Sequence, residues 1–259
     1  MTTSKSMQHT APKRIVIKLG GSMLEGLNEN FFANFKELQA AGNELIIVHG
    51  GGPAINKALE KNGVTSTTIN GFRVTSAEAI SIVQSTLVGQ VNPALVHQLN
   101  KNGIAAIGLS GYDGNLLACT ILDQALYGFV GEIKQVNSAL LETLLANGIT
   151  PVISSISCTN DGTPLNINAD TVASKIALAI KAESLKLVTD TPGIKIEGQV
   201  QQVATSSDIT YWISSGDIYG GMIPKVTAAL DCLAAGIPSV QIVDEQLKGT
   251  TILHQEVFA

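Results

Sequence analysis

The chain has 259 residues, 45% of them apolar and only 14% charged, with a formal net charge of −5. Such a composition buries a sizeable core and excludes a disordered chain, and basic residues pair no further than Lys13-Arg14, which disfavours a nucleic-acid or membrane surface. Three separated cysteines (Cys119, Cys158, Cys232) and four scattered histidines argue against a disulfide framework and against a metal site of Cys and His.

Residues 1–13 read as a disordered lead, polar and without the apolar stretch of a signal peptide. No uninterrupted run approaches the roughly 18 apolar residues of a spanning helix, so a cytoplasmic protein is expected. Arg14 to Leu19 is a buried-strand pattern running into Gly20-Gly21. Asn28 then caps a helix carrying Phe31, Phe32, Phe35 and Leu38, and Glu44 to Val48 is the next strand. This alternation implies parallel strands joined by right-handed crossovers. After His49-Gly50-Gly51-Gly52, Pro53 opens a helix with a stripe of Ala54, Ile55, Ala58 and Leu59. Residues 64–74 suggest a hairpin around Asn70-Gly71. A long helical region follows from Ser76 to Asn102, interrupted near Gly89 and Pro93. Ile104 to Leu109 reads as a buried strand and residues 116–136 as strand-rich. Next come a helix at Ser138 to Ala146, a strand at Pro151 to Ile153, a turn at Asn160-Asp161-Gly162 and a helix at Ala169 to Lys181. A strand at Leu185 to Thr189, a turn at Asp190 to Gly193 and an extended pair around Ile194 and Val200 begin the last third. Helices at Ser207 to Ser215 and Met222 to Ala235 precede Ile237 to Val243, expected to close the sheet, and a short strand at Thr250 to Leu253. The pattern is α/β with a mostly parallel sheet between helices, and a soft lobe boundary falls near residue 180.

Glycine turns between a strand and a helix expose backbone N–H groups at the positive end of the helix, a ready anion site. Gly20-Gly21 and Gly50-Gly51-Gly52 have this form and Gly220-Gly221 opens a helix, although each alone also fits a simple tight turn. Neither G-x-x-x-x-G-K-[ST] nor G-x-G-x-x-G is present, so P-loop and dinucleotide folds are disfavoured. The His49 tripeptide is similar to the oxyanion loop of lipases. The nucleophile elbow is missing, since Gly108-Leu109-Ser110-Gly111-Tyr112 ends in tyrosine. Lys18 at the end of a buried strand and Lys225 in the first turn of a helix are both poorly placed unless an anion faces them. Phosphoryl transfer supplies such an anion. Asp170 is either a helix cap or a carboxylate that orients the two lysines. Arg73, beyond the Asn70-Gly71 turn, has the side chain that grips a carboxylate with two parallel bonds.

Lys18-Leu19-Gly20-Gly21-Ser22, His49-Gly50-Gly51-Gly52-Pro53, Thr189-Asp190-Thr191-Pro192-Gly193 and Gly220-Gly221-Met222-Ile223-Pro224-Lys225 together resemble the amino acid kinase family. Asn70-Gly71-Phe72-Arg73-Val74-Thr75 and Asn166-Ile167-Asn168-Ala169-Asp170 resemble its branch that phosphorylates N-acetyl-L-glutamate in arginine biosynthesis. The resemblance runs from about residue 14 to the C-terminus. It implies a three-layer α/β/α sandwich with a mostly parallel central sheet and two lobes. Residues 14–180 would bind the acyl acceptor and dimerise, and residues 181–259 would bind ATP. It implies Lys18, Lys225 and Asp170 as catalytic residues and Gly51, Gly52, Arg73 and Asn166 as acceptor-binding residues. Lys18, Gly20, Gly21, Asp190, Thr191, Gly193, Gly221, Met222 and Lys225 would contact the nucleotide. Magnesium would be held mainly by the phosphates, with no protein metal site.

Phe72 stands where leucine is usual in the family, and Tyr112 where a lysine is common. The lead before Arg14 does not read as the helix that links arginine-inhibited members into hexamers, so a homodimer insensitive to arginine is expected. A regulator of the PII type is a further partner for which the sequence offers no support. Two alternatives stay open at this level. One is a family member acting on glutamate, aspartate or a carrier-linked aminoadipate. The other is a catalytically silent nucleotide-binding relative.

Overall fold

The structure, a computed structural model, describes residues 12–24 and 26–254, so most of the expected lead lies outside the described residues. The chain begins with β1 (Arg14–Leu19), α1 (Glu29–Ala40), β2 (Glu44–His49) and α2 (Gly52–Lys61). Asn28 caps α1 by accepting from Phe31 N, and Phe31, Phe32 and Phe35 form its buried face. The hairpin of β3 (Thr68–Ile69) and β4 (Phe72–Arg73) turns at Asn70 and Gly71, both with positive φ, as Asn-Gly turns favour. α3 (Ala77–Thr86) runs into α4 (Asn92–Lys101) through one π-helical turn, Leu87–Val91. The expected interruption near Gly89 is therefore a bulge, not a break. This helical stretch is long and apolar enough to cross a membrane, but it packs its buried residues against α2 and the sheet.

Next come β5 (Ala106–Leu109), β6 (Leu117–Ile121), α5 (Gln124–Tyr127) and β7 (Gly131–Val136). They are followed by α6 (Ser138–Ala146), β8 (Thr150–Ser154), β9 (Ile156–Cys158), β10 (Pro164–Asn166) and α7 (Ala169–Ala179). The last third holds β11 (Ser184–Val188), the ribbon of β12 (Lys195–Ile196) and β13 (Gln199–Val200), then β14 (Val203–Thr205) and α8 (Ser206–Ser215). α9 (Met222–Ala234), β15 (Ser239–Val243) and β16 (Gly249–Leu253) complete the described chain.

One sheet organises the molecule, in the order β14-β16-β15-β11-β1-β2-β8-β5, parallel throughout except at β15–β16. A smaller sheet, β10-β9-β6-β7, flanks it. The period-2 alternation of the central strands assigns their faces. Ile15, Ile17 and Leu19 of β1 with Leu45 and Ile47 of β2 pack against α1 and α4. Val16, Ile46 and Val48 pack against α6, α7 and the α9 layer. The result is the expected α/β/α sandwich.

Three expectations need correction. Ile104 to Leu109 is not a buried strand: β5 starts at Ala106, pairs only with β8 and leaves Ile107 39% exposed at the sheet edge. Ile237 to Val243 does not close the sheet, because β16 and the unanticipated β14 extend it beyond β15. The strand-rich patch at 116–136 contains the helical turn α5, capped by Asp123.

Candidate active site

The C-terminal ends of β1, β2, β8 and β11 lie at one edge of the sheet, where open parallel sheets bind ligands. The β1 alternation puts Lys18 on the same face as Val16, toward α7, whose first turn supplies Asp170. Lys18 Nζ lies 2.9 Å from Asp170 Oδ1, with both side chains partly buried. Lys225, in the first turn of α9, has its Nζ 2.7 Å from Asp190 Oδ1 and 3.4 Å from Thr191 Oγ1. Lys225 holds the Asp190 carboxyl below its ordinary range. Lys18, Gly20, Asp170, Asp190 and Lys225 line a single cleft of about 250 Å³. Cations from two distant segments thus meet over one space, each steadied by its own carboxylate.

A second hollow, about 180 Å³, is lined by Gly51, Gly52, Arg73, Asn166 and Asn168 among others. Arg73 is half-buried, and burial pulls its pKa down. Its partners are neutral: Ser66 Oγ at 3.2 Å and Asn56 Oδ1 at 2.5 Å. A desolvated guanidinium with neutral partners is a receptor for an anion. Asn166 donates to Thr75 Oγ1 at 3.1 Å. Asn168 caps α7 through Asp170 N (2.8 Å) and Thr171 N (3.2 Å), and its amide donates to Gly71 O at 3.4 Å. The hairpin carrying Arg73 is therefore tied to the start of α7. It is also tied to Tyr127, which accepts from Asn70 at 3.2 Å and stacks near Phe72 with ring centroids 5.3 Å apart.

The helix starts tell the same story. Asn28, Ser76, Asp123, Asn137, Asn168 and Thr205 each cap a helix with a side chain. Among the described residues, α2 and α9 start from a loop on glycine, at Gly51 and Gly221, without a side-chain cap. At α2 the Gly51 and Gly52 N–H groups have no backbone acceptor among the described residues and can serve a ligand, whereas at α9 Met222 N and Ile223 N donate to Tyr219 O and Gly220 O. The Gly20-Gly21 turn also touches the Gly50–Gly52 turn: a Cβ on Gly21 would lie 2.8 Å from Gly52 N.

The expected residues do not all line one wall. Thr191, Gly193 and Met222 share a third hollow with Asp217 and Tyr219, about 220 Å³ in size. Gly21 also lines a space toward α4, and Gly221 sits exposed at the start of α9. Reasoning from sequence missed Asn56 and Ser155, which lines the Arg73 hollow, and gave no role to Thr75 and Asn168 although both stand in the motifs that carry the resemblance. Asn168 had a signal, a capping residue just before a helix. Asn56 and Ser155 had none, since they reach the site only through tertiary packing.

The model of the amino acid kinase family matches residues 13–244. An acetylglutamate kinase of Geobacillus kaustophilus is 44% identical over 243 residues, covering 94% of this chain and 93% of that protein. An acetylglutamate kinase of Halalkalibacterium halodurans is 42% identical, covering 95% and 98%. Among solved structures, smu.665 from Streptococcus mutans superposes with a TM-score of 0.82 at 38% identity, over 93% of this chain and 98% of that one. On the match of both sequence and architecture, the chain belongs to the amino acid kinase family.

Proposed function

We propose that the chain is an acetylglutamate kinase, transferring the γ-phosphoryl group of ATP to the side-chain carboxylate of N-acetyl-L-glutamate. The observation that carries this reading is the meeting of Lys18–Asp170 and Lys225–Asp190 in a cleft beside the hollow of Arg73 and Asn166. A carboxylate oxygen attacks Pγ, the bond from Pγ to the bridging oxygen breaks, and its electron pair leaves with ADP. The product is the acyl phosphate N-acetyl-L-glutamyl 5-phosphate. A side-chain carboxylate is already ionised near neutral pH, so the reaction needs no general base.

In this reading Lys18 and Lys225 neutralise charge spreading over the transferred oxygens, and Asp170 orients Lys18. Gly20, Gly21, Gly51 and Gly52 offer N–H groups to the phosphoryl group and acceptor. Arg73 and Asn166 hold the α-carboxylate. Asp190, Thr191, Gly193, Gly221 and Met222 lie along the nucleotide. Magnesium arrives with ATP on its phosphates; among the described residues no three metal-ligating side chains converge. We assign acceptor binding and dimerisation to residues 14–180 and nucleotide binding to 181–259, two lobes sharing the eight-stranded sheet, in a cytoplasmic homodimer.

Trapping the acyl phosphate tests this. Purified protein with MgATP and hydroxylamine should yield hydroxamate with N-acetylglutamate and not with glutamate, aspartate or N-acetylaspartate. Lys225→Ala should abolish the signal. Hydroxamate from a different acid would keep the lysine roles and discard the assignment of Arg73.

A further inference from the structure

One fully buried titratable group has no part in that chemistry, His49 at the end of β2. The alternation that sends Ile46 and Val48 toward α7 sends His49 toward α4. Its Nδ1 lies 2.8 Å from Gly50 O, and its Nε2 lies 2.9 Å from Asn92 Nδ2. The same Asn92 nitrogen lies 2.9 Å from Val152 O. A carbonyl only accepts, so the atom facing Val152 is the amide nitrogen, and its second hydrogen points at Nε2. Nε2 therefore accepts, the ring proton resides on Nδ1, and Nδ1 donates to Gly50 O. One backbone carbonyl thus fixes the orientation of three groups.

In a trans peptide the C=O and N–H bonds point in opposite directions. A Gly50 carbonyl held toward His49 turns the Gly51 N–H away from it, and Gly50, Gly51 and Gly52 all line the hollow of Arg73. Among the described residues the Gly51 and Gly52 N–H groups have no backbone acceptor.

The π turn delivers Asn92 to this position. Buried residues step by four from Val83 to Leu87, then by five to Asn92, then on to Leu95 and Leu99. An α-helix steps by three or four, so the extra residue of the π turn is what brings a polar side chain into the buried register. The turn also presses on the glycines: a Cβ on Gly51 would lie 2.7 Å from Leu87 Cδ2.

We propose that His49 and Asn92 are positioning residues for phosphoryl transfer: a neutral imidazole protonated on Nδ1 locks the Gly50–Gly51 peptide so that the Gly51 N–H meets the transferring group. The proposal rests on the kinase reading and adds the pair that aims its glycine turn. Burial holds the His49 pKa at about 4, in keeping with a neutral ring. Burial and the Gly50 carbonyl are the influences on that ring, and no charged side chain of β2, β8 or α4 among the described residues adds to them.

Asn92→Asp tests the device, because it keeps the shape and exchanges a donor for an acceptor. Facing a carboxylate, the ring satisfies both neighbours only as imidazolium. The kcat should fall on the order of 10–100-fold near pH 8 and recover several-fold near pH 6, with both KM values within about threefold of wild type. Recovery at low pH should vanish in the double variant His49→Gln, Asn92→Asp. A loss of kcat equal at both pH values, a loss that tracks unfolding followed by circular dichroism, or wild-type kcat throughout would overturn the proposal. The tautomer is also readable in the wild-type protein without turnover, from the 15N shifts of the His49 ring. A proton on Nδ1 supports the proposal and one on Nε2 overturns it, whichever acid the enzyme phosphorylates. A wild-type protein that phosphorylates no acid would fail the functional reading instead.

Discussion

Two side chains of the site differ in what burial does to them. Arg73 is half-buried, and its side-chain partners among the described residues, Ser66 and Asn56, are neutral, so its charge is only partly compensated before an anion arrives. Arg73→Lys keeps the charge and loses the planar fork, and Arg73→Ala loses both. We expect Arg73→Ala to raise the KM for N-acetylglutamate by at least about tenfold, the KM for ATP staying near wild type. Initial rates with each substrate varied in turn check this. His49 is the opposite case, a polar side chain buried without charge. Its pKa is about 4 in the fold, against an ordinary 6.5. Between those values the unfolded chain binds more protons than the native one, so stability rises with pH. That contribution is complete above about pH 6.5 and is lost as pH falls toward 4, a change of about 3 kcal/mol. Urea unfolding at pH values spanning this window should show the slope, and His49→Gln should flatten it.

At the scale of elements, the edge strand β5 and the helix α4 approach each other so closely that Gly108 has no room for a side chain. A Cβ there would overlap Asn92 Oδ1 and lie 3.2 Å from Val96 Cγ2. Gly108→Ala should therefore push the Asn92 amide off His49. We expect a destabilisation of about 1–3 kcal/mol, as for overpacking, together with a lower kcat. Denaturant unfolding and turnover of the same preparation measure both. Such contacts mark the limit of what the chain reveals by itself. The helices with Phe31–Phe35 and Leu141–Leu145 and the strands with β-branched runs are legible because their periods are local. Lys18, Lys225 and Asp170 are legible because each sits at an element end where its charge lacks a local reason. β14 is three residues long and takes its strand character from β16, so nothing in Val203–Thr205 announces it. The same holds for Lys186, a buried lysine in the middle of β11 that is hydrogen-bonded to Gln241 across the strand pair. Burial lowers its pKa to about 8, a condition created by the sheet and not by its neighbours in sequence.

For the whole molecule, the sheet ends in two edges, and they are not equivalent. β14 is a short edge, which limits pairing with another chain. β5 is longer, with Ile107 39% exposed. Ala106 and Gly108 turn toward α4, so the alternation puts Ile107 on the opposite face of the sheet. A second copy seated on that edge would cover Ile107 and pair the free backbone groups of β5, which gives the proposed homodimer a place. Light scattering should then report twice the 27.0 kDa of one chain. Ile107→Lys sets a charge on the edge, and its side chain already faces solvent, so the fold should survive while the mass halves. Because the acceptor hollow and the lysine cleft are built from one chain, the monomeric variant should keep its kcat per chain. A variant that stays dimeric would move the interface to another face. One that turns monomeric and loses kcat would mean that the contact across β5 also steadies α4 and, through Asn92, the glycine turn.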